Sequence, residues 1–161
     1  EVGELIVKCD AVMQGYLNLP DATDEAISNG WLKTGDLVQI DEEGFIFIVD
    51  RKKDLIISKG QNIYPREIEE ALYKLEEVEA AAVIGVRDQY ADENIVAFVQ
   101  LKDNMTLNEK AVRDHLRQHL ANFKIPKEIY FKEELPRNAT GKVLKRVLKQ
   151  QMQEQQTQTP A

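Results

Sequence analysis

The chain has 161 residues, 43% of them hydrophobic and 30% charged, which suits one ordinary domain or two small ones with a real core. Its 21 basic and 28 acidic residues give a net charge of -7, which disfavours a general phosphate-coating nucleic-acid binder while leaving room for a local basic patch. No stretch approaches the roughly 20 apolar residues that span a bilayer, and the single Cys9 excludes an internal disulfide framework and a cysteine-rich zinc site.

In chain order, the sequence opens Glu1-Val2-Gly3-Glu4, with neither an initiator Met nor a signal peptide. The true start is therefore expected upstream, and a reducing, cytoplasmic compartment is expected from the cysteine usage. Residues 4–9 (ELIVKC) are a short β-prone run. Residues 21–29 suit a short helix with Asp21 or Thr23 as its cap, broken by Gly30 and Trp31. Residues 36–40 and 45–49 read as a hairpin around Asp41-Glu42-Glu43-Gly44, an acidic turn ending in glycine. The charged run Asp50-Arg51-Lys52-Lys53-Asp54 follows, and such clusters often mark exposed joints between units.

Beyond residue 54 the pattern changes. Residues 55–57 are apolar, and 58–62 read as a loop or turn. Pro65 suits a first helical turn, Glu67 and Glu69 favour the helix N-terminus, and Ile68, Ala71, Leu72 and Leu75 recur at helical spacing. These residues predict a helix over 65–75. Residues 80–86 and 94–101 read as strands. Asn108 caps a helix over 108–120 with Val112, Leu116 and Leu120 on one face. Residues 128–131 are β-prone, 141–152 form a basic helix, and the Gln/Thr-rich 153–161 is expected to be disordered.

The order β, α, β, β, α, β, α implies an α+β fold, with helices packed on a short sheet. The first 50 residues read as strands short of partners, because a few strands alone rarely make a stable sheet. The expected division is a β-rich segment over 1–50, a joint at 51–53, a small α+β domain over 54–150 and a disordered tail over 151–161.

Several residues could carry chemistry. His115 and His119 lie at i, i+4 on a helix, but no Glu follows the first and no third ligand is evident, so a solvated helix face is the simpler reading and no metal site is assigned. Asp88, Asp92 and Glu93 lack calcium-loop spacing and read as a solvated loop. Thr140-Gly141-Lys142 is not a P-loop, because Pro136 and Val143 stand where Gly and Ser or Thr are needed. A lysine at the tip of a glycine turn still suits a reaction that builds charge on phosphate oxygens. Thr34-Gly35-Asp36 puts a carboxylate at a strand entrance, where it can accept from the vicinal hydroxyls of a ribose, and Arg51 could converge on the same ligand. Taken singly, Lys142 reads equally as a solvated side chain, and Asp36 and Arg51 as a surface ion pair.

Taken together, GELIV, VMQGYLNLP, GWLKTGDL, DRKKDLIISKGQNIYPREIEEAL and LPRNATGKVLKRVL resemble, in order and spacing, the C-terminal end of the adenylate-forming (AMP-binding) superfamily. The match covers about residues 1–149. The run RKKDLIISKGQNIYP is most similar to bacterial medium- and long-chain fatty acyl-CoA ligases. In the coumarate-ligase and luciferase branch, a lysine that contacts the adenylate lies four residues after the hinge. Ile57 stands there in this chain.

The resemblance implies a two-step reaction. A fatty acid and ATP give an acyl-adenylate and pyrophosphate, and coenzyme A then displaces AMP. Carrier-protein loading, an aryl-CoA ligase and a non-catalytic α+β binding domain are the alternatives. The resemblance implies Lys142 as the lysine bridging carboxylate and α-phosphate, and Asp36 as the acid on the ribose of ATP or AMP, with Arg51 its companion. It implies Lys53 as the hinge, Asn62 as a polar nucleotide contact, and Lys59 and Gly60 as the lining of the coenzyme A tunnel. It also implies that Mg2+ is held, and the acyl pocket built, by a large N-terminal domain outside these residues, so the chain alone is expected to have little ligase activity. No nucleic-acid partner is expected, and membrane association is not encoded in these residues.

Overall fold

The computed structural model of the chain describes residues 1–88 and 90–158. It divides into two compact units, one over Glu1–Lys53 and one beginning at Asp54. The first unit is a four-stranded antiparallel sheet of β1 (Val2–Val7), β2 (Ile27–Ser28), β3 (Trp31–Ile40) and β4 (Ile46–Arg51). β3 is central, with β1 along one edge and β2 and β4 along the other.

The helix α1 (Pro20–Ala26) has Pro20 in its first turn. Neither Asp21 nor Thr23 caps it, because the capping position falls on Leu19. The Thr23 hydroxyl instead donates to the Leu19 carbonyl and accepts from the Tyr16 amide, which ties down the preceding loop. Asn29 and Gly30, at φ +51° and +78°, form the two-residue turn between β2 and β3, where the twist of the strands requires left-handed residues. β3 therefore starts at Trp31 rather than at residue 36. At its far end the Asp41 carboxylate accepts from the Glu43 and Phe45 amides and closes the hairpin with β4.

The second unit is built on a three-stranded sheet of β7 (Val78–Arg87), β8 (Glu93–Leu101) and β9 (Glu128–Lys132). β7 and β8 are antiparallel, and β9 returns parallel to β8. A hairpin of β5 (Ile56–Ser58) and β6 (Gln61–Ile63) precedes it. The short strands replace the loop expected over 58–62, because only residues 59 and 60 make the turn. Three helices complete the unit: α2 (Pro65–Leu72), α3 (Glu109–His119) and α4 (Lys145–Gln158). The class is α+β.

Alternation along the strands sends side chains to two cores. Val83, Ala97, Val99 and Ile129 pack with Ile68 and Leu72 of α2, Val112 and Leu116 of α3, and Ile56 and Ile63 of the hairpin. Ala82, Ile84, Val96 and Phe98 pack on the other face with Leu135 and with Leu148 and Met152 of α4. Covering both faces explains the apolar run over residues 80–86 of β7 and the unbroken burial of residues 95–100 in β8, which alternation alone would not give. Side chains from α2 and just beyond it also close the free edge of β7. Glu69 accepts from the Val83 amide at 2.7 Å, and the Tyr73 hydroxyl accepts from the Ala81 amide at 3.2 Å.

Asn108 caps α3 by accepting from the Ala111 amide at 2.9 Å. His115 is not on a solvated face: its Nε2 bonds the Ala71 carbonyl at 2.9 Å, and its ring packs against His119. α4 begins at Lys145 rather than at residue 141, and it runs on through residues 153–158, which were expected to be disordered. Glutamine and glutamate favour helix, and Gln150 bonds Glu154 one turn on at 3.0 Å. The last part of the expected disordered tail, 159–161, lies outside the described residues. Among the described residues no helix is long and apolar enough to cross a membrane.

Candidate functional site

Asp36 and Arg51 face each other directly across β3 and β4. The Arg51 Nη1 lies 2.8 Å from Asp36 Oδ1, with both side chains only partly covered. A bulge aims the carboxylate. Lys33 pairs with Ile6 and Leu37 with Glu4, so residues 34–36 of β3 face only Leu5 of β1. Gly35 takes the bulge at φ +73°, a left-handed conformation that suits glycine. The Thr34 hydroxyl pins the bulge by donating to the Leu5 carbonyl at 2.8 Å and accepting from the Asp36 amide at 3.1 Å. A carboxylate has about four lone-pair sites, so the contact with Arg51 leaves acceptor capacity for a vicinal diol.

Beside this pair, within the first unit, an open cleft of about 630 Å3 is lined by Glu4, Tyr16, Lys33, Arg51, Lys52 and Lys53 among others. Its charge is mainly positive, which suits an anionic ligand. The hydrogen bond from Lys52 at 2.7 Å holds the Glu4 carboxyl below its usual range. Lys53 lies in a single helical turn, Lys52–Asp54, at the boundary of the two units.

Lys59 and Gly60 form the tip of the β5–β6 hairpin. Their φ values are +49° and +75°, and Ser58 pairs with Gln61, so this is the tight two-residue turn that needs two left-handed residues. A side chain at Gly60 would meet nothing within 4 Å, so the glycine serves conformation and keeps the tip slim. Asn62 is exposed and sits opposite Ile57 across the hairpin, on the same face. The acidic loop after β7 is not a solvated run. Asp92 accepts from the Lys59 amide and Glu93 from the Ile57 amide, each at 2.8 Å. No sequence pattern pointed to this, because the bonds join residues 33 and 36 positions apart.

Lys142 stands on a turn built around Asn138. The Asn138 Oδ1 accepts from the Thr140 amide at 3.1 Å, the Thr140 hydroxyl at 2.8 Å and the Lys142 amide at 2.9 Å. Gly141 sits at φ +83°. Arg137 and Val143 bridge as antiparallel partners and close the turn. On the entry side, the Leu135 amide donates to the buried Gln100 at 3.1 Å. On the exit side, Lys145 pairs with Glu69 at 2.7 Å, joining the start of α4 to α2. The Lys142 backbone is thus fixed while its side chain is exposed, which presents a positive charge on a defined post.

Each candidate residue is thereby located. Asp36 and Arg51 are in direct contact, Lys59 and Gly60 share one turn with Asn62 nearby on β6, and Lys142 occupies its own loop. Among the described residues no three His, Cys, Asp or Glu side chains gather as metal ligands.

Residues 67–142 match the AMP-binding enzyme C-terminal domain. The chain is 48% identical over 150 residues to a 2-succinylbenzoate–CoA ligase of Geobacillus sp. (strain WCH70), covering 93% of the chain and 30% of that protein. It is 49% identical over 148 residues to a long-chain-fatty-acid–CoA ligase of Bacillus subtilis, covering 92% of the chain and 26% of that protein. Among solved structures, it superposes on ATP-bound MatB from Rhodopseudomonas palustris with a TM-score of 0.88 and 38% identity, over 96% of the chain and 31% of MatB. It also superposes on the o-succinylbenzoate CoA synthetase of Bacillus subtilis in complex with its acyl-adenylate intermediate, with a TM-score of 0.85 and 40% identity, over 92% of the chain and 30% of that structure. The chain thus spans under a third of the length of these relatives.

Proposed function

Because the chain belongs to the adenylate-forming, AMP-binding superfamily and matches its C-terminal part, we propose that it serves as the C-terminal portion of an ATP-dependent acid–CoA ligase. In the first step a carboxylate oxygen attacks the α-phosphorus of ATP, the bond to the β-phosphate breaks, and pyrophosphate leaves. In the second step the coenzyme A sulfur attacks the acyl carbon, the bond to AMP breaks, and the thioester forms.

The roles follow the chemistry of each residue. Asp36 accepts from the two ribose hydroxyls of the nucleotide, and Arg51 holds the carboxylate in place and adds positive charge beside the sugar. Lys142 bridges the attacking carboxylate and the α-phosphate and offsets the negative charge that grows on the phosphate oxygens during adenylation. Lys59 and Gly60 line the channel for the pantetheine arm, where the slim turn lets a thin chain pass. Asn62 offers a polar contact to the nucleotide. Lys53, at the joint of the two units, is the hinge about which the second unit turns between steps. The proposed compartment is the cytoplasm, where an exposed lone Cys9 stays reduced.

The observation that carries the reading is Lys142, an exposed ammonium on a turn held by the bonded amides of Asn138, Thr140, Gly141 and Lys142, in a chain half identical to CoA ligases. The proposed acid is a fatty acid, supported by the fatty-acid ligase relative and by Ile57 in place of the lysine of the coumarate-ligase branch. A second reading, 2-succinylbenzoate, is favoured by the 48% identity to a ligase of that name.

The test uses the full-length enzyme with octanoate, palmitate and 2-succinylbenzoate. Lys142→Ala is expected to cut acid-dependent pyrophosphate release about a hundredfold or more. It should largely spare thioester formation from supplied acyl-adenylate. Turnover of one acid names the substrate class. Equal loss in both steps would contradict the role of Lys142, and no turnover with any acid would overturn the ligase reading.

A further inference from the structure

The β5–β6 hairpin has only three residues in each strand, and two strands of this length do not hold their shape in water unaided. The amides of Ile57, on its outer edge, and of Lys59, the first residue of its turn, lie outside the hairpin's own pairing. No third strand pairs with them among the described residues. Two consecutive carboxylates, Asp92 at the end of the β7–β8 connection and Glu93 at the start of β8, take that place, Glu93 on the Ile57 amide and Asp92 on the Lys59 amide, each at 2.8 Å. Bonds from an amide to a carboxylate are about twice as strong as neutral ones.

Both carboxylates are themselves held. Asp88 accepts from the Tyr90 and Asp92 amides, and its own amide donates to the Asp92 carbonyl at 2.8 Å. Glu93 lies over Gly85 on the neighbouring strand. A Cβ there would stand 3.0–3.2 Å from the Glu93 carboxyl atoms, so the glycine leaves the room that this side chain fills. The Gly85 backbone is otherwise ordinary strand, which gives the glycine a packing reason rather than a conformational one.

We propose that Asp92 and Glu93 are positioning residues for the thioester-forming step, holding the turn of Lys59 and Gly60 in the shape that admits the pantetheine arm. They touch neither substrate nor reacting atoms, and they act through the two backbone amides. The inference rests on the assignment of that turn to the thiol channel.

The test compares both half-reactions in the full-length enzyme, using the acid it activates and that acid's adenylate. Asp92→Ala and Glu93→Ala are each expected to slow thioester formation from supplied adenylate about tenfold, the effect of a small misplacement of the channel wall. Pyrophosphate release should stay within about twofold of wild type on the same grounds. Asp92→Asn and Glu93→Gln should recover most of the loss, because an amide oxygen still accepts. In the 161-residue chain, amide exchange at Ile57 and Lys59 should quicken in the alanine variants while the buried amides of β7 and β8 stay protected.

Gly60→Val separates this inference from the reading beneath it. If Gly60→Val cripples thioester formation and the alanine variants do not, the clamp is overturned and the channel stands. If Gly60→Val also leaves thioester formation intact, the channel assignment fails and the inference falls with it. Equal loss in both half-reactions, or equal loss in the amide variants, would overturn the clamp as well.

Discussion

The Tyr130 hydroxyl donates to a Glu128 carboxylate oxygen on the same strand, while its ring stacks on Phe98 with centroids 5.5 Å apart. That hydrogen bond, reinforced by burial and by the negative charge of Glu128, pushes the phenol up to about 12 from its ordinary 10. Below pH 10 the folded and unfolded chains both keep the proton, and the contribution to stability is complete. As the pH rises from 10 toward 12 the unfolded chain releases the proton first, so the contribution is lost. Tyr130→Phe keeps the stack and removes the titration. Its urea midpoint should therefore fall less between pH 9 and pH 11 than that of the wild type. Parallel decline of the two proteins would show that this phenol does not titrate as described.

At the scale of elements, α3 shows how one side chain sets a boundary. Asn108 occupies the capping position and satisfies the Ala111 amide, which the helix leaves unpaired. Asn108→Ala should lower stability by about 1 kcal/mol, read as a drop in urea midpoint, and Asn108→Ser should retain most of it. This cap was legible in the sequence because it is local. So were the amphipathic faces of α2 and α3 and the acidic turn between β3 and β4. What could not be read depends on partners far along the chain or on interrupted periodicity. The bulge at residues 34–36 breaks the alternation of β3, so the strand looked half its length. The hairpin strands β5 and β6 are too short to show alternation, and they are stabilised by carboxylates more than thirty positions away. Thr23 looked like a cap but bonds backward to Leu19 and Tyr16. Of the candidate residues, Asp36 and Arg51 could be foreseen together because a hairpin register joins them, whereas the supports of the Lys59 turn could not.

Across the whole molecule, apolar burial is unevenly shared. Among the described residues, Leu37 and Val38 are the only buried apolar side chains before Asp54, while the second unit carries two cores on the faces of one sheet. Burial of this kind contributes about 25 cal/mol per Å2, so it decides which part can stand alone. Residues 54–158 expressed by themselves should give a dispersed amide spectrum and a single cooperative thermal transition. Residues 1–53 should give neither. A non-cooperative transition for the longer piece would mean that its cores depend on residues outside it.

The strand β4 has a consequence of a different kind. Ile46, Phe47 and Ile48 are consecutive, all more than half exposed, and among the described residues β4 pairs with β3 alone. Consecutive apolar residues on both sides of an open strand are the ingredients of a cross-β seed. Charges bracket them: Asp41, Glu42 and Glu43 on one side, and Asp50, Arg51, Lys52 and Lys53 on the other. Such flanking charges act as gatekeepers, because stacking copies in register would stack like charges as well. Salt screens that repulsion, so the colloidal life of this chain depends on the same residues that frame its β3–β4 hairpin.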